Sequence, residues 1–243
     1  MKRLLCQRLC KKFFLMCFMC CLDSMLITSC GIEGFVYLEK PQRTAHDPSN
    51  LEDLSQRYCE FTTAGEANNS VDGFLGTEIY YRIYARKEDC ENDKSQISQY
   101  NTDNPYEAAN YLERTKKYYR LTQNQTSTTP LIGKQSASPY NATIRFRLQD
   151  YGSPVSDPAQ LTVNSTSKGV PQRDSSILSS DKRAFNKDTI TVGDDDVQPS
   201  SVSIGTEEYW CVNFYAVSYG YTTTFSTIRS ALESLGYIFI KKS

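Results

Sequence analysis

Tyr209-Trp210-Cys211-Val212-Asn213-Phe214-Tyr215-Ala216-Val217-Ser218-Tyr219 decides the fold. It is built from aromatic and β-branched residues, the types that fit a pleated surface, and it holds the chain's single Trp. Successive side chains on a strand point to opposite sides. Val212, Phe214 and Ala216 therefore share one face, and Cys211, Asn213, Tyr215 and Val217 share the other. Outside the first 29 residues no other stretch packs Trp, Phe, Val and Tyr so closely, so this segment is expected as a long interior strand. Beyond it, Ile228, Leu232 and Leu235 are spaced for a short helix before Gly236. Tyr237-Ile238-Phe239-Ile240 then reads as a last strand, stopped by Lys241-Lys242.

Working outward, Thr77-Glu78-Ile79-Tyr80-Tyr81-Arg82-Ile83-Tyr84-Ala85 is the clearest strand of the first half, with Ile79, Tyr81 and Ile83 alternating onto a core face. Its other face carries Tyr80, Arg82 and Tyr84, where an exposed arginine stacked on strand neighbours is expected. Further strands are expected at Tyr58–Phe61, Ala142–Leu148, Gln160–Val163 and Asp188–Val192. Lys87 to Tyr100 reads as a polar loop. After it, Asn104-Pro105-Tyr106-Glu107 has the form of a helix start, with a capping side chain, a first-turn proline and a glutamate three residues on. That helix is expected over about 104–120, burying Ala108, Tyr111, Leu112, Thr115 and Tyr119 and leaving Glu113, Arg114, Lys116 and Lys117 in water.

The first 29 residues are of another kind. Lys2, Arg3, Arg8, Lys11 and Lys12 precede the apolar run Phe13–Leu22, the basic and apolar regions of an export signal. Asp23 interrupts that run at a length well short of the ~20 apolar residues a spanning helix needs. Leu26-Ile27-Thr28-Ser29-Cys30 follows and reads as a bacterial lipobox. On this reading residues 1–29 are a signal peptide removed before Cys30, and Cys30 carries the acyl chains. Residues 30–50 form a lipidated N-terminus and tether, and 51–243 make one β-rich domain.

Composition narrows the function classes. The chain holds 27 Lys and Arg against 28 Asp and Glu, and five of the bases lie in the leader, so the body is mildly acidic. Nucleic acid binding is not expected, since neutralising phosphates requires concentrated positive charge. Of nine cysteines, only Cys59, Cys90 and Cys211 lie beyond the leader and Cys30. In an exported protein one disulfide is expected among them, with Cys59–Cys90 the preferred pairing and three buried free thiols the alternative. Their spacing makes no metal site. The only histidine, His46, lies in the tether, so no histidine-based catalytic centre is legible. Asp194-Asp195-Asp196 could hold a cation, but their spacing matches no calcium loop and a solvated turn is expected. No cofactor and no catalytic residues are identified.

Together with the lipobox, Phe74-Leu75-Gly76-Thr77-Glu78-Ile79-Tyr80-Tyr81-Arg82-Ile83-Tyr84, Val212-Asn213-Phe214-Tyr215-Ala216-Val217-Ser218-Tyr219-Gly220 and Leu235-Gly236-Tyr237-Ile238 resemble uncharacterised spirochaetal lipoproteins. The paired-tyrosine strand, and the late strand leading to an Ala-Val-Ser-Tyr-Gly turn and a last strand, are similar to strands C, F and G of a fibronectin type III sandwich. The resemblance implies a mainly β, fibronectin type III-like antiparallel β-sandwich with a long helix-containing insertion. It also implies a lipid anchor in the bacterial cell envelope, either periplasmic or surface-exposed. The function expected is that of a binding or envelope-assembly module with a protein or glycan ligand. The alternative is a cell-envelope hydrolase, for which Asp194 to Asp196 would be the carboxylates to examine.

Overall fold

In the computed structural model Tyr209–Tyr221 is a thirteen-residue strand, buried at every position from Trp210 to Gly220. The structure describes residues 36–50, 52–124, 129–149, 158–198 and 208–242. The leader, the lipobox and Cys30 lie outside the described residues. In chain order the strands are β1 (Gln42–Arg43), β2 (Cys59–Thr62), β3 (Phe74–Tyr84), β4 (Tyr119–Arg120), β5 (Thr122–Gln123), β6 (Ile132–Gly133) and β7 (Thr143–Arg147). There follow β8 (Gln160–Val163), β9 (Thr166–Gly169), β10 (Pro171–Gln172), β11 (Val197–Gln198), β12 (Tyr209–Tyr221), β13 (Thr227–Arg229) and β14 (Glu233–Lys241). The α-helices among the described residues are α1 (Gly65–Asn68), α2 (Lys87–Asp103) and α3 (Ala108–Arg114).

The two faces of β12 explain the layering. Antiparallel pairing sets β12 between β3 on one side and β13 and β14 on the other. Opposite this sheet lies a second, β1-β2-β7-β8-β9. Val212, Phe214 and Ala216 face it and join Ile79, Tyr81 and Ile83 against Phe61, Ile144, Phe146 and Leu161. Phe146 and Phe214 meet edge to face across the sheets at 5.1 Å. The other face, with Cys211, Tyr215 and Val217, is covered by α2 and α3 through Cys90, Ile97, Ala108 and Leu112. Full burial contributes roughly 1.5–3 kcal/mol for each large apolar side chain, which is why both apolar faces of β12 find cover. The result is mainly β and sandwich-like, with one helical layer added.

Several expectations need correcting. Lys87–Asp103 is a helix, and Asn104 closes it as its C-cap, with its N–H on the Tyr100 carbonyl. α3 is short, and Tyr119–Arg120 leaves it to pair with β3. The buried stripe of α2 is narrow, consisting of Cys90, Ile97 and the acidic Asp93. Asp93 is paired with Lys116 at 2.6 Å and with the Tyr84 hydroxyl at 2.8 Å, so it lies inside without an apolar pattern to announce it. Lys116, expected in water, is thereby drawn in. Arg82 is also buried, donating to the Lys117 carbonyl.

Asp188–Val192 is a turn, because Asn186 Oδ1 accepts from Asp188 and Thr189 while Asp194 accepts from Thr191. Residues 216–220 run on inside β12, and the reversal comes at 222–226. Ile228 to Leu235 builds strands in place of a helix. Gly236 lies opposite the β12 bulge at Phe214/Tyr215. There φ is +87°, and a Cβ would meet Pro48 Cγ at 3.0 Å, so only glycine fits without strain.

Residues 36–50 are packed onto the domain, unlike a tether: β1 pairs with β2, Leu38 is buried, and Lys40 reaches Glu233 at 2.5 Å. The described residues belong to one compact unit beginning at Val36. No helix among them is long and apolar enough to cross a membrane.

Candidate functional site

The segment 173–198 has little regular structure, and one arginine holds it in shape. Arg173 is fully buried. Its Nε donates to Asp196 Oδ2 at 2.8 Å, and its Nη1 donates to the carbonyls of Lys182 and Thr189 at 3.1 and 3.0 Å. Nη2 donates to Asp194 Oδ2 at 2.8 Å and also to Asp196 Oδ1. All five guanidinium N–H donors are thus used. Burial opposes the charge of Asp194, but hydrogen bonds from Thr191 and Arg173 outweigh it and hold the carboxyl below the usual carboxylate range. Burial likewise opposes the charge of Arg173, and the two aspartates more than restore it. The expected solvated turn at Asp194-Asp195-Asp196 is therefore corrected: Asp194 and Asp196 are buried ion-pair partners.

β3 fastens this lock to the sandwich. The Tyr81 hydroxyl donates to Asp196 at 2.7 Å and accepts from the Asp174 N–H at 2.8 Å. Phe185 meets the same ring edge to face at 5.0 Å. With Phe185 fixed, residues 184–188 stand beside Gln172 and the end of β7. They enclose an open cleft of about 420 Å³ whose walls include Leu148, Gln149, Pro171, Gln172, Asn186 and Lys187. That volume falls within the usual range for small-ligand pockets. The cleft sets the carboxamides of Gln149, Gln172 and Asn186 and the charged Lys187 and Asp188 beside apolar Leu148, Ala159, Val170 and Pro171, a lining suited to a polar chain. Its described lining includes no histidine, cysteine or serine.

A second charged cluster lies on the helix-side face of β3 and β12. Glu78, 2% exposed, accepts from the Tyr80 hydroxyl at 2.6 Å and lies 3.3 Å from Arg120. Arg120 and Arg229 both also contact Glu113. Burial pushes the Glu78 carboxyl up, against the Tyr80 hydrogen bond and the two arginines. Both guanidinium groups lie within ion-pair distance of both carboxylates, so the cluster is a bridged ion-pair network.

The sequence-derived site residues are dispersed. Cys59, Cys90 and Cys211 are buried free thiols, and the expected Cys59–Cys90 disulfide is not formed. Cys59 lies in the core between the sheets and Cys90 in the core beneath the helices. Burial pushes the Cys59 thiol far above its ordinary pKa. His46 stacks on Tyr58 at 3.8 Å, with Nε2 at 2.7 Å from the Gln56 carbonyl, and stands apart from the cleft. Among the described residues no group of three His, Cys, Asp or Glu side chains is placed to hold a metal ion.

Arg173, Gln149, Gln172 and Asn186 were not legible as a group. They come from separate polar stretches, and only the register of β7, β10 and the locked loop unites them. No family model, curated protein or solved structure matches the chain.

Proposed function

We propose that this chain is a lipid-anchored lipoprotein of the bacterial cell envelope, acylated at Cys30. Its fibronectin type III-like sandwich acts as a binding or assembly module that holds a polar glycan or protein segment in the Gln149–Gln172–Asn186 cleft. The anchor rests on the basic n-region, the apolar run and the lipobox. The fibronectin-like reading is supported by strand order: β1-β2-β7 in one sheet, and β4-β3-β12-β14 in the other. There β3, β12 and β14 take the parts of strands C, F and G. Because one sandwich serves many functions, the binding role rests on the cleft, and the observation that carries it is the rigid frame around Arg173. Five satisfied donors fix the rim before any ligand arrives, which lowers the entropic cost of binding.

The test is capture from envelope extracts, separated into glycan and protein fractions, by the purified protein and by a Gln149→Ala/Gln172→Ala variant. Both side chains lie on the cleft, so the variant should keep its unfolding midpoint and lose the captured species. Equal capture by both proteins rejects the cleft. Mass spectrometry of the mature N-terminus should find acylated Cys30, and Cys30→Ala should lose stable membrane association. An unmodified Cys30 or an intact Met1 rejects the anchor.

A further inference from the structure

The exposed apolar side chains are unevenly distributed, and their position coincides with the end from which the N-terminal chain leaves. Six of the eight exposed large apolar side chains among the described residues are Val36, Tyr37, Leu75, Tyr106, Tyr221 and Phe225. Register places Leu75 and Tyr221, with the hairpin that carries Phe225, at one end of the central sheet. Phe74 pairs with Gly220, and the Tyr221 N–H donates to the Gly73 carbonyl, so Leu75, Tyr221 and the hairpin tip with Phe225 are neighbours in level. Phe225 is 86% exposed.

Read backwards, the N-terminal chain runs toward the same end. Pro48 lies by Gly236, which pairs with Phe214; Lys40 bonds Glu233, which pairs with Ala216; the Glu39 carbonyl accepts from Ser218. Tyr37 comes next, its ring 4.5 Å from that of Tyr106. The two remaining exposed apolar residues, Leu54 and Val192, belong to the other end. Leu54 is tied to Arg147, and Val192 precedes the strand that pairs with Ile83.

We infer that this end of the domain lies against the bilayer, with Phe225, Tyr106 and Tyr37 at the headgroup–acyl boundary. The inference rests on the lipid-anchor reading. Cys30 is seven residues from Tyr37, at most about 25 Å of fully extended chain. β3 alone spans eleven residues, about 36 Å. An anchor shorter than the domain is long keeps the N-terminal end nearest the membrane, and tyrosine and phenylalanine favour the interface, where one side is apolar and the other wet. Asp72, Asp103 and Glu107 are exposed near these side chains and Lys134 is exposed beside Leu75, so positive charge is not concentrated here and the surface that fits is zwitterionic. On this inference the Gln149–Gln172–Asn186 cleft, at the Arg147 end of β7, opens away from the membrane.

The experiment introduces a tryptophan as reporter. The chain's only Trp, Trp210, is buried and pairs at the opposite end of β12, so it supplies a constant background. Full-length Phe225→Trp and Val192→Trp proteins are expressed in an exporting host, recovered from its envelope and reconstituted in phosphatidylcholine vesicles with and without brominated acyl chains. The N-terminal peptide of each sample is weighed. Both positions are exposed, so unchanged unfolding midpoints are expected. Phe225→Trp should lose about half of its added emission to the brominated lipid, as for a side chain at the interface. Val192→Trp should lose none. Acylated samples in which the two variants are quenched equally, or not at all, overturn the membrane-facing end while leaving the anchor intact. A sample whose Cys30 carries no acyl chain removes the anchor reading and this inference with it.

Discussion

Arg173 and Glu78 are both charged side chains enclosed by the fold, yet they are accommodated in opposite ways. Around Arg173 every guanidinium N–H finds an acceptor, and both aspartates are gathered onto it. Around Glu78, Oε1 makes no hydrogen bond although Arg120 is 3.3 Å away, and Nε of Arg229 is likewise without one. The carboxyl responds as desolvated acids do, with burial raising its pKa, whereas Asp194 is held ionised by its partners. A fully satisfied network specifies one arrangement of an irregular loop, while a partly satisfied one leaves a titratable group whose charge depends on pH.

The largest effect is expected at Arg173. Arg173→Met leaves Asp194 and Asp196 buried without their cation and should cost about 3–5 kcal/mol in urea unfolding. Adding Asp194→Asn and Asp196→Asn to that variant should recover part of the loss, because the buried charge is then gone. A cost for Arg173→Met no larger than that of a surface substitution would mean that the loop is held by something else.

Lys116→Ala probes an intermediate case. Its Nζ bonds Asp93, which keeps the Tyr84 hydroxyl as a second partner, so a loss of about 1–3 kcal/mol is expected. The smallest effect belongs to Glu78→Gln, about 1 kcal/mol or less near neutral pH, since the carboxamide keeps an acceptor for Tyr80.

The pH dependence sharpens the same contrast, and its sign follows from which state holds the proton more tightly. The folded state raises the pKa of Glu78 above its ordinary value of 4.5. The associated stability is therefore full below that value and is lost as pH rises through the raised one. Thermal melts from pH 4 upward should show this decline in the wild type relative to Glu78→Gln. Asp194 behaves oppositely: its stability contribution is present above 3.8 and is lost as pH falls through its lowered folded value. Melts of Asp194→Asn should lack that acid limb. A Glu78→Gln protein that keeps the full decline at rising pH would assign it to another group.

Read by itself, the sequence determined the strands whose side chains alternate cleanly. β3, β7 and β12 were legible because a period of two is written in the residues, and so was the division of β12 into Val212–Phe214–Ala216 and Cys211–Tyr215–Val217 faces. The position of β14 followed from the same pattern at Tyr237–Ile240, and β2 and β8 were legible at Tyr58–Phe61 and Gln160–Val163. Tertiary structure decided the rest. α2 buries Asp93 in a stripe that otherwise holds only Cys90 and Ile97, so its helical period is hidden in polar residues until Lys116 and Tyr84 supply partners. Asp194 and Asp196 look solvated in sequence because their cation stands 21 and 23 residues away. The cleft draws Gln149, Gln172 and Asn186 from three separate stretches. Burial of a charge, and convergence of uncharged amides, depend on contacts between segments distant in the chain, and local periodicity carries no trace of them.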